Sequence, residues 1–126
     1  MAQLFYKSAE TWLVCGGRHF EDKTMFENAM VTLATARGLP KKIINGGSLG
    51  ADSMAQDWAK QYGIMGHTVE AEWEKYGKSA GPIRNKAMLD KYHPHLVIVF
   101  PGGRGTESML KLAHKDNVEV CEFTIK

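Results

Sequence analysis

The chain lacks long hydrophobic runs. No apolar stretch among its 126 residues approaches the roughly 20 that a membrane-crossing helix needs. Met1 to Glu10 also lack the apolar core of a signal peptide. Cysteine is scarce. Cys15 and Cys121 each sit in an apolar, strand-like run, a setting that favours two buried free thiols over a disulfide. Together these point to a soluble, cytoplasmic protein. No charge of one sign dominates. Sixteen Lys and Arg stand against 14 Asp and Glu, and a net +2 gives little footing for nucleic acid. There are no solenoid-period repeats, low-complexity tracts or linkers, so residues 1–126 read as one domain. Residues 1–10 are weakly patterned, as an arm or an extra edge strand would be. Two phosphate-binding signatures are missing as well. No Gly-x4-Gly-Lys-Ser/Thr loop is present, which disfavours an NTP-hydrolysing P-loop. No Gly-x-Gly-x-x-Gly follows the first strand, which disfavours a standard dinucleotide fold.

What is present is a repeated pattern of apolar strand, glycine turn and helix. Leu96 to Phe100 is a short unbroken run of apolar residues, the mark of a strand buried on both faces. It opens into Pro101-Gly-Gly-Arg-Gly-Thr106, and from Ser108 the residues Met109, Leu112 and Ala113 recur at helical spacing. A strand that turns into a helix through glycines leaves free backbone N–H groups at the helix start. Those groups and the helix dipole favour an anion, most often a phosphate. Thr11 to Cys15 likewise runs into Gly16-Gly17-Arg18, and Lys42 to Asn45 into Gly46-Gly-Ser-Leu-Gly-Ala-Asp52.

Between these lie helices. Thr24 and Glu27 have the spacing of a capping box for a helix running to about Arg37, stopped by Gly38 and Pro40. Met54, Ala55, Trp58, Ala59 and Tyr62 form a second amphipathic stripe. Ile64 to Ala71 contains a third strand centred on His67 to Glu70. Residues 72–81 have no clear period and read as a long loop, in which Trp73 and Tyr76 either stack on a base or pin the loop to the core. Pro82 opens a helix carrying Ile83, Arg84, Asn85, Ala87 and Met88. Val118 to Ile125 is a last strand. This alternation implies a mostly parallel sheet of about five strands with helices on both faces. Ligands bind such sheets at the carboxyl ends of the strands, near the switch in strand order. The three glycine turns should meet there.

The candidate ligand-binding residues follow: Gly16, Gly17, Arg18, Gly46, Gly47, Ser48, Asp52, Arg84, Asn85, Pro101, Gly102, Gly103, Arg104, Gly105, Thr106 and Glu107. Arg18, Arg84 and Arg104 stand at or beside helix starts and together suit a phosphate clamp. Asp52 is placed to cap the second helix or to hold a ribose hydroxyl. His93 and His95 have no acid or cysteine cluster beside them, so no metal site is expected. Ser48 and Ser53 show no base partner, which argues against a nucleophile.

The ordered motifs Gly46-Gly-Ser-Leu-Gly-Ala-Asp52, Ala80-Gly-Pro-Ile-Arg-Asn85 and Phe100-Pro-Gly-Gly-Arg-Gly-Thr106 resemble the SLOG superfamily. It takes in the LOG phosphoribohydrolases, the DNA-processing protein DprA/Smf and a small YspA/YpsA-related branch. The likeness runs over about residues 11–122. It implies an α/β three-layer Rossmann-like domain, a nucleotide or nucleotide-derived ligand with no required cofactor, ligand-facing roles for Arg84 and Asn85, and a homodimer or higher oligomer. Trp58 and Met88 are candidates for core or interface. The LOG hallmark Pro-Gly-Gly-x-Gly-Thr-x-x-Glu ends on a catalytic glutamate, and that position is Met109 here. The resemblance therefore carries the phosphate cradle without the catalytic acid. Three functions are weighed on this basis. The first is nucleotide binding or sensing without rapid chemistry, with Glu107 at the ribose. The second is N-glycoside hydrolysis using Glu107 or Asp52. The third is single-strand DNA binding, disfavoured by the low net charge.

Overall fold

The computed structural model describes residues 5–124. Five strands form one all-parallel sheet: β1 (Thr11–Cys15), β2 (Lys42–Asn45), β3 (Met65–Thr68), β4 (Leu96–Val99) and β5 (Glu119–Glu122). Their order is β3-β2-β1-β4-β5, so the chain reverses direction across the sheet between β1 and β4. Five helices connect them: α1 (Lys23–Arg37), α2 (Ala51–Gln61), α3 (Trp73–Tyr76), α4 (Ala80–Tyr92) and α5 (Arg104–Lys115).

The strand alternation divides the core in two, as a pleated sheet covered on both faces requires. Trp12, Val14, Ile43, Leu96, Ile98 and Phe100 face α1 and α2, where they meet Phe26, Met30, Ala55 and Trp58. Leu13, Ile44, Val97 and Val99 face α4 and α5, where they meet Met88, Leu89, Met109 and Ala113. This is the three-layer Rossmann-like architecture. Trp58 and Met88 are both core residues, each 2% exposed, and are not available to an interface. Cys15 and Cys121 are free thiols, each partly buried.

Several boundaries differ from those the sequence suggests. The residues read as a loop over 72–81 are mostly helical. They comprise α3, a 3₁₀ turn at Gly77–Ser79 and the first turn of α4. Neither α3 nor the 3₁₀ turn is long enough to display a period, and neither has a buried residue to create one. The cap of α1 is Asp22, not Thr24: its side chain accepts from the Met25 N–H at 2.9 Å. At the other end Gly38 leaves the helix with φ 88° and donates to the Ala34 carbonyl, the conformation for which glycine is suited. Helix α5 begins at Arg104, four residues ahead of Ser108, because its first turn holds only polar and glycine positions. Strand β3 ends at Thr68, inside the expected centre of His67 to Glu70. Of the last predicted strand, Glu119–Glu122 pairs with β4, and Ile125 lies outside the described residues.

The first ten residues behave as an arm where they are described. Ser8 donates to the Leu39 carbonyl and Leu39 to the Tyr6 carbonyl, so the arm lies parallel to the segment after α1 and outside the sheet. Glu10 closes this end of the molecule. Its carboxylate receives Arg37 Nε and Nη2, both at 2.9 Å, and Trp12 Nε1 at 3.0 Å. Arg37 Nη1 reaches on to Glu119 at 2.7 Å. One guanidinium thus joins the arm, α1 and β5.

Candidate functional site

The turns after β1, β2 and β4 leave the carboxyl edge of the sheet on either side of the switch point. The turns after β1 and β4 are fastened to each other by backbone. Phe100 N–H donates to the Cys15 carbonyl at 2.9 Å, and Gly17 N–H donates to the Pro101 carbonyl at 2.8 Å. A Cβ on Gly17 would stand 2.9 Å from Gly102 Cα, and one on Gly50 would collide with the Gly17 carbonyl. These glycines are required by the approach of chain to chain, whatever binds above them.

The turns enclose a cleft of about 920 Å³. The β1 turn contributes Gly16, Gly17 and Arg18, followed by His19. The β2 turn contributes Gly46, Ser48 and Asp52. The β4 turn contributes Pro101 to Thr106, and α4 supplies Arg84 and Asn85. Among the described residues no side chain caps α5, whose N-cap is Gly103. Its first-turn N–H groups and its positive dipole end are therefore turned to the cleft without a protein partner. Arg104 is exposed beside them.

Two of the sequence candidates stand elsewhere. Gly47 takes φ 78°, and a side chain there would point to Thr68 and Glu70, away from the cleft. Glu107 is exposed and lines a separate groove between α4 and α5 with Pro82, Ile83, Lys86 and Lys111. Successive helical residues are turned by about 100°, so Thr106 at the cleft carries Glu107 around to the outer side. Met109 is swung further, into the core, at 1% exposure. No acid of α5 faces the cleft, which corrects the placement of Glu107 at the ribose.

Arg84 and Asn85 reach the cleft wall, but much of their hydrogen-bonding capacity is spent inside the protein. Arg84 Nη1 donates to the carbonyls of Gly46 at 2.7 Å and Val69 at 3.3 Å, and its Nε donates to Asn85 Oδ1. Asn85 Nδ2 then donates to the Gly105 carbonyl at 3.1 Å, tying α4 to the first turn of α5. Burial lowers the Arg84 pKa. Arg84 is a half-buried strut as well as a wall of the cleft, and Arg18 and Arg104 are the cleft guanidinium groups left exposed.

Asp52 is the unusual acid. It is 5% exposed at the start of α2. Oδ2 accepts from the Ser48 N–H at 3.1 Å, while Oδ1 is buried and has no partner among the described residues. Burial raises its pKa to about 6, against the opposing pull of the Ser48 N–H, the Arg84 charge and the Gly46 N–H. A buried carboxyl titrating near neutrality in a cleft marks a functional candidate. Cys15 lies on the same floor, but burial drives its thiol far above the ordinary range, which removes it as a nucleophile.

Asn45 was not evident from sequence, where it reads as the end of an apolar strand. At 1% exposure its Oδ1 accepts from Gly47 N–H at 2.8 Å and from Gln56 Nε2 at 3.2 Å. It sets the path of the second turn. Trp73, weighed as either a stacking group or a pin, is 59% exposed on the cleft wall. His95 Nδ1 accepts from Thr11 N–H at 3.0 Å at the opposite edge of the sheet.

A parallel α/β sheet with glycine turns meeting over its switch point defines a domain of the Rossmann-like class. Within that class, the chain belongs to the YspA, cpYpsA-related SLOG family (YAcAr), whose family model matches residues 13–76. That span takes in the β1 and β2 turns and Asp52. The chain is also similar to the Gene 61 protein of Mycobacterium phage D29, with 29% identity over 118 residues, covering 88% of this chain and 94% of the phage protein.

Proposed function

We propose that this domain binds a nucleotide or nucleotide-derived ligand, with a phosphate seated on the turn from Gly102 to Thr106. The carrying observation is the open start of α5, uncapped by any side chain, beside Arg104 in a cleft built from three glycine turns. Such a helix start is an anion site by its N–H groups and its dipole together. The cleft volume of about 920 Å³ falls within the roughly 300–1,000 Å³ of small-molecule sites. Membership of the SLOG family is in keeping with this reading. Calorimetry with AMP, GMP, CMP and UMP, each against its own nucleoside, tests it. Binding that depends on the phosphate supports the assignment; equal affinity for nucleoside and nucleotide removes it.

One observation favours a second reading, hydrolysis of an N-glycosidic bond. Asp52, with a pKa of about 6 and a free buried oxygen, has the character of a general base. Of the two acids the sequence offers for this chemistry, Glu107 and Asp52, Asp52 is the one that lines the cleft. The absence of a cleft-facing acid on α5 keeps binding without rapid turnover as the first reading. Single-stranded DNA is the least favoured occupant, because Glu21 and Asp22 share the rim with Arg18 and His19.

A further inference from the structure

We infer that Trp73 is the platform on which the base of the ligand stacks, so that the ligand class is a nucleoside phosphate and not a phosphosugar. The inference rests on the phosphate site proposed above. Four of the chain's aromatic side chains illustrate the contrast. Trp12 and Trp58 are buried in the core at 0% and 2% exposure. Tyr76 is exposed but lies under Lys75, whose Nζ stands 5.1 Å from the ring centroid, and it does not line the cleft. Trp73 alone of these four both lines the cleft and offers its indole to solvent.

Its position fits the length of a nucleotide. A Cβ on Gly81 would stand 3.5 Å from Trp73 Cη2, so the indole lies against the first turn of α4. One turn further on, Asn85 holds the Gly105 carbonyl and with it the start of α5. Residues 81 and 85 are separated by about 6 Å along the axis of α4, at 1.5 Å per residue. Trp73 and the α5 start thus meet α4 one helical turn apart, on the scale of the interval that a ribose bridges between base and phosphate. Met88 lies deeper on that wall. Stacking on an indole needs only a π-face, so the platform accepts any base.

The test uses AMP, GMP, CMP, UMP and ribose 5-phosphate with the wild-type chain, Trp73→Ala and Trp73→Phe. In the wild type, nucleotides should bind at least about fivefold more tightly than ribose 5-phosphate, the low end of one base stack. Trp73→Ala should erase that difference while leaving ribose 5-phosphate affinity unchanged, and Trp73→Phe should keep part of it. Nucleotides should also quench the fluorescence of the wild type and not that of Trp73→Phe, since the two remaining tryptophans are enclosed. Unaltered nucleotide affinity in Trp73→Ala overturns the platform while leaving the phosphate site standing. Failure of ribose 5-phosphate and nucleotides alike to bind the wild type overturns both.

Discussion

Arg84 Nη1 donates to the carbonyl of Gly46 at 2.7 Å, through space that a side chain on residue 46 would fill. A Cβ there would stand 2.5 Å from Nη1. The second glycine turn and the α4 arginine are therefore one construction. Arg84→Ala should lower stability by about 2–4 kcal/mol, since charged hydrogen bonds to carbonyls are lost and Asp52 loses the nearby positive charge. Gly46→Ala should act on the same contact by expelling the guanidinium. Urea melts of both variants and of the pair should give a coupling of about 1–2 kcal/mol. Additive losses would show that the two residues are independent.

The cradle can be tested by two glycines that sit close in sequence. A Cβ on Gly102 would strike Thr106 Oγ1 and the Gly17 nitrogen, whereas one on Gly105 meets nothing within 4 Å. Gly105→Ala should leave stability intact or raise it by up to about 1 kcal/mol, as expected within a helix. It should nonetheless weaken binding of AMP if phosphate approaches that backbone. Gly102→Ala should lower the melting temperature with or without ligand. Full AMP affinity in Gly105→Ala would place the phosphate elsewhere.

Asp52 makes stability depend on pH in an unusual direction. Its folded pKa is raised from 3.8 to about 6, so the folded state holds a proton that the unfolded chain has released. Stability should therefore fall as pH rises from about 4 to 6, by up to about 3 kcal/mol at 1.36 kcal/mol per unit. Asp52→Asn should be more stable than the wild type at pH 8, and the gap should close by pH 4. An equal effect of the substitution at both pH values would contradict the burial argument.

Glu10 acts in the opposite sense. Its hydrogen bonds from Arg37 hold the carboxyl below the ordinary value, so its contribution is present above about pH 4.5 and is lost on acidification. Glu10→Gln should cost about 1–2 kcal/mol at pH 7, the scale of a well-made, partly buried pair. The cost should shrink at pH 3. Guanidinium chloride is unsuitable for this measurement because its salt screens the pair; urea is the denaturant to use.

Turnover separates the two functional readings. Incubated with AMP, GMP, CMP and UMP, the protein should release little free base by chromatography, and Glu107→Gln should change nothing. Rapid release abolished by Asp52→Asn would establish N-glycoside hydrolysis and demote binding alone.

The parts legible in the sequence were those in which burial leaves a pattern. Leu96 to Phe100 is apolar at every position because β4 is covered on both faces, and the glycine turns announce themselves by composition. Short or solvent-facing structure leaves none, so Trp73–Tyr76 passed for loop. Capping missed by two residues because Asp22 and Thr24 are chemically alike as caps, and only the backbone path selects between them. The candidate site was legible as a set of residue types but not as directions. Arg84 carries the charge of a clamp yet turns it on two carbonyls, and Glu107 carries the right carboxylate on the wrong side of its helix. Asn45 left no signal, since a buried amide that accepts from a glycine N–H is indistinguishable in sequence from any strand-ending asparagine.

The bond from Gly17 N–H to the Pro101 carbonyl has a consequence in time. Loop amides at a binding edge commonly exchange with solvent through small local openings. Here the first and third turns hold each other, and Phe100 N–H is held by Cys15 at the end of β1. Opening either turn breaks bonds that continue the β1–β4 ladder. The amides of Gly17 and Phe100 should therefore exchange deuterium at the slow rate of the central strands, and the cleft should have the same lifetime as the sheet beneath it.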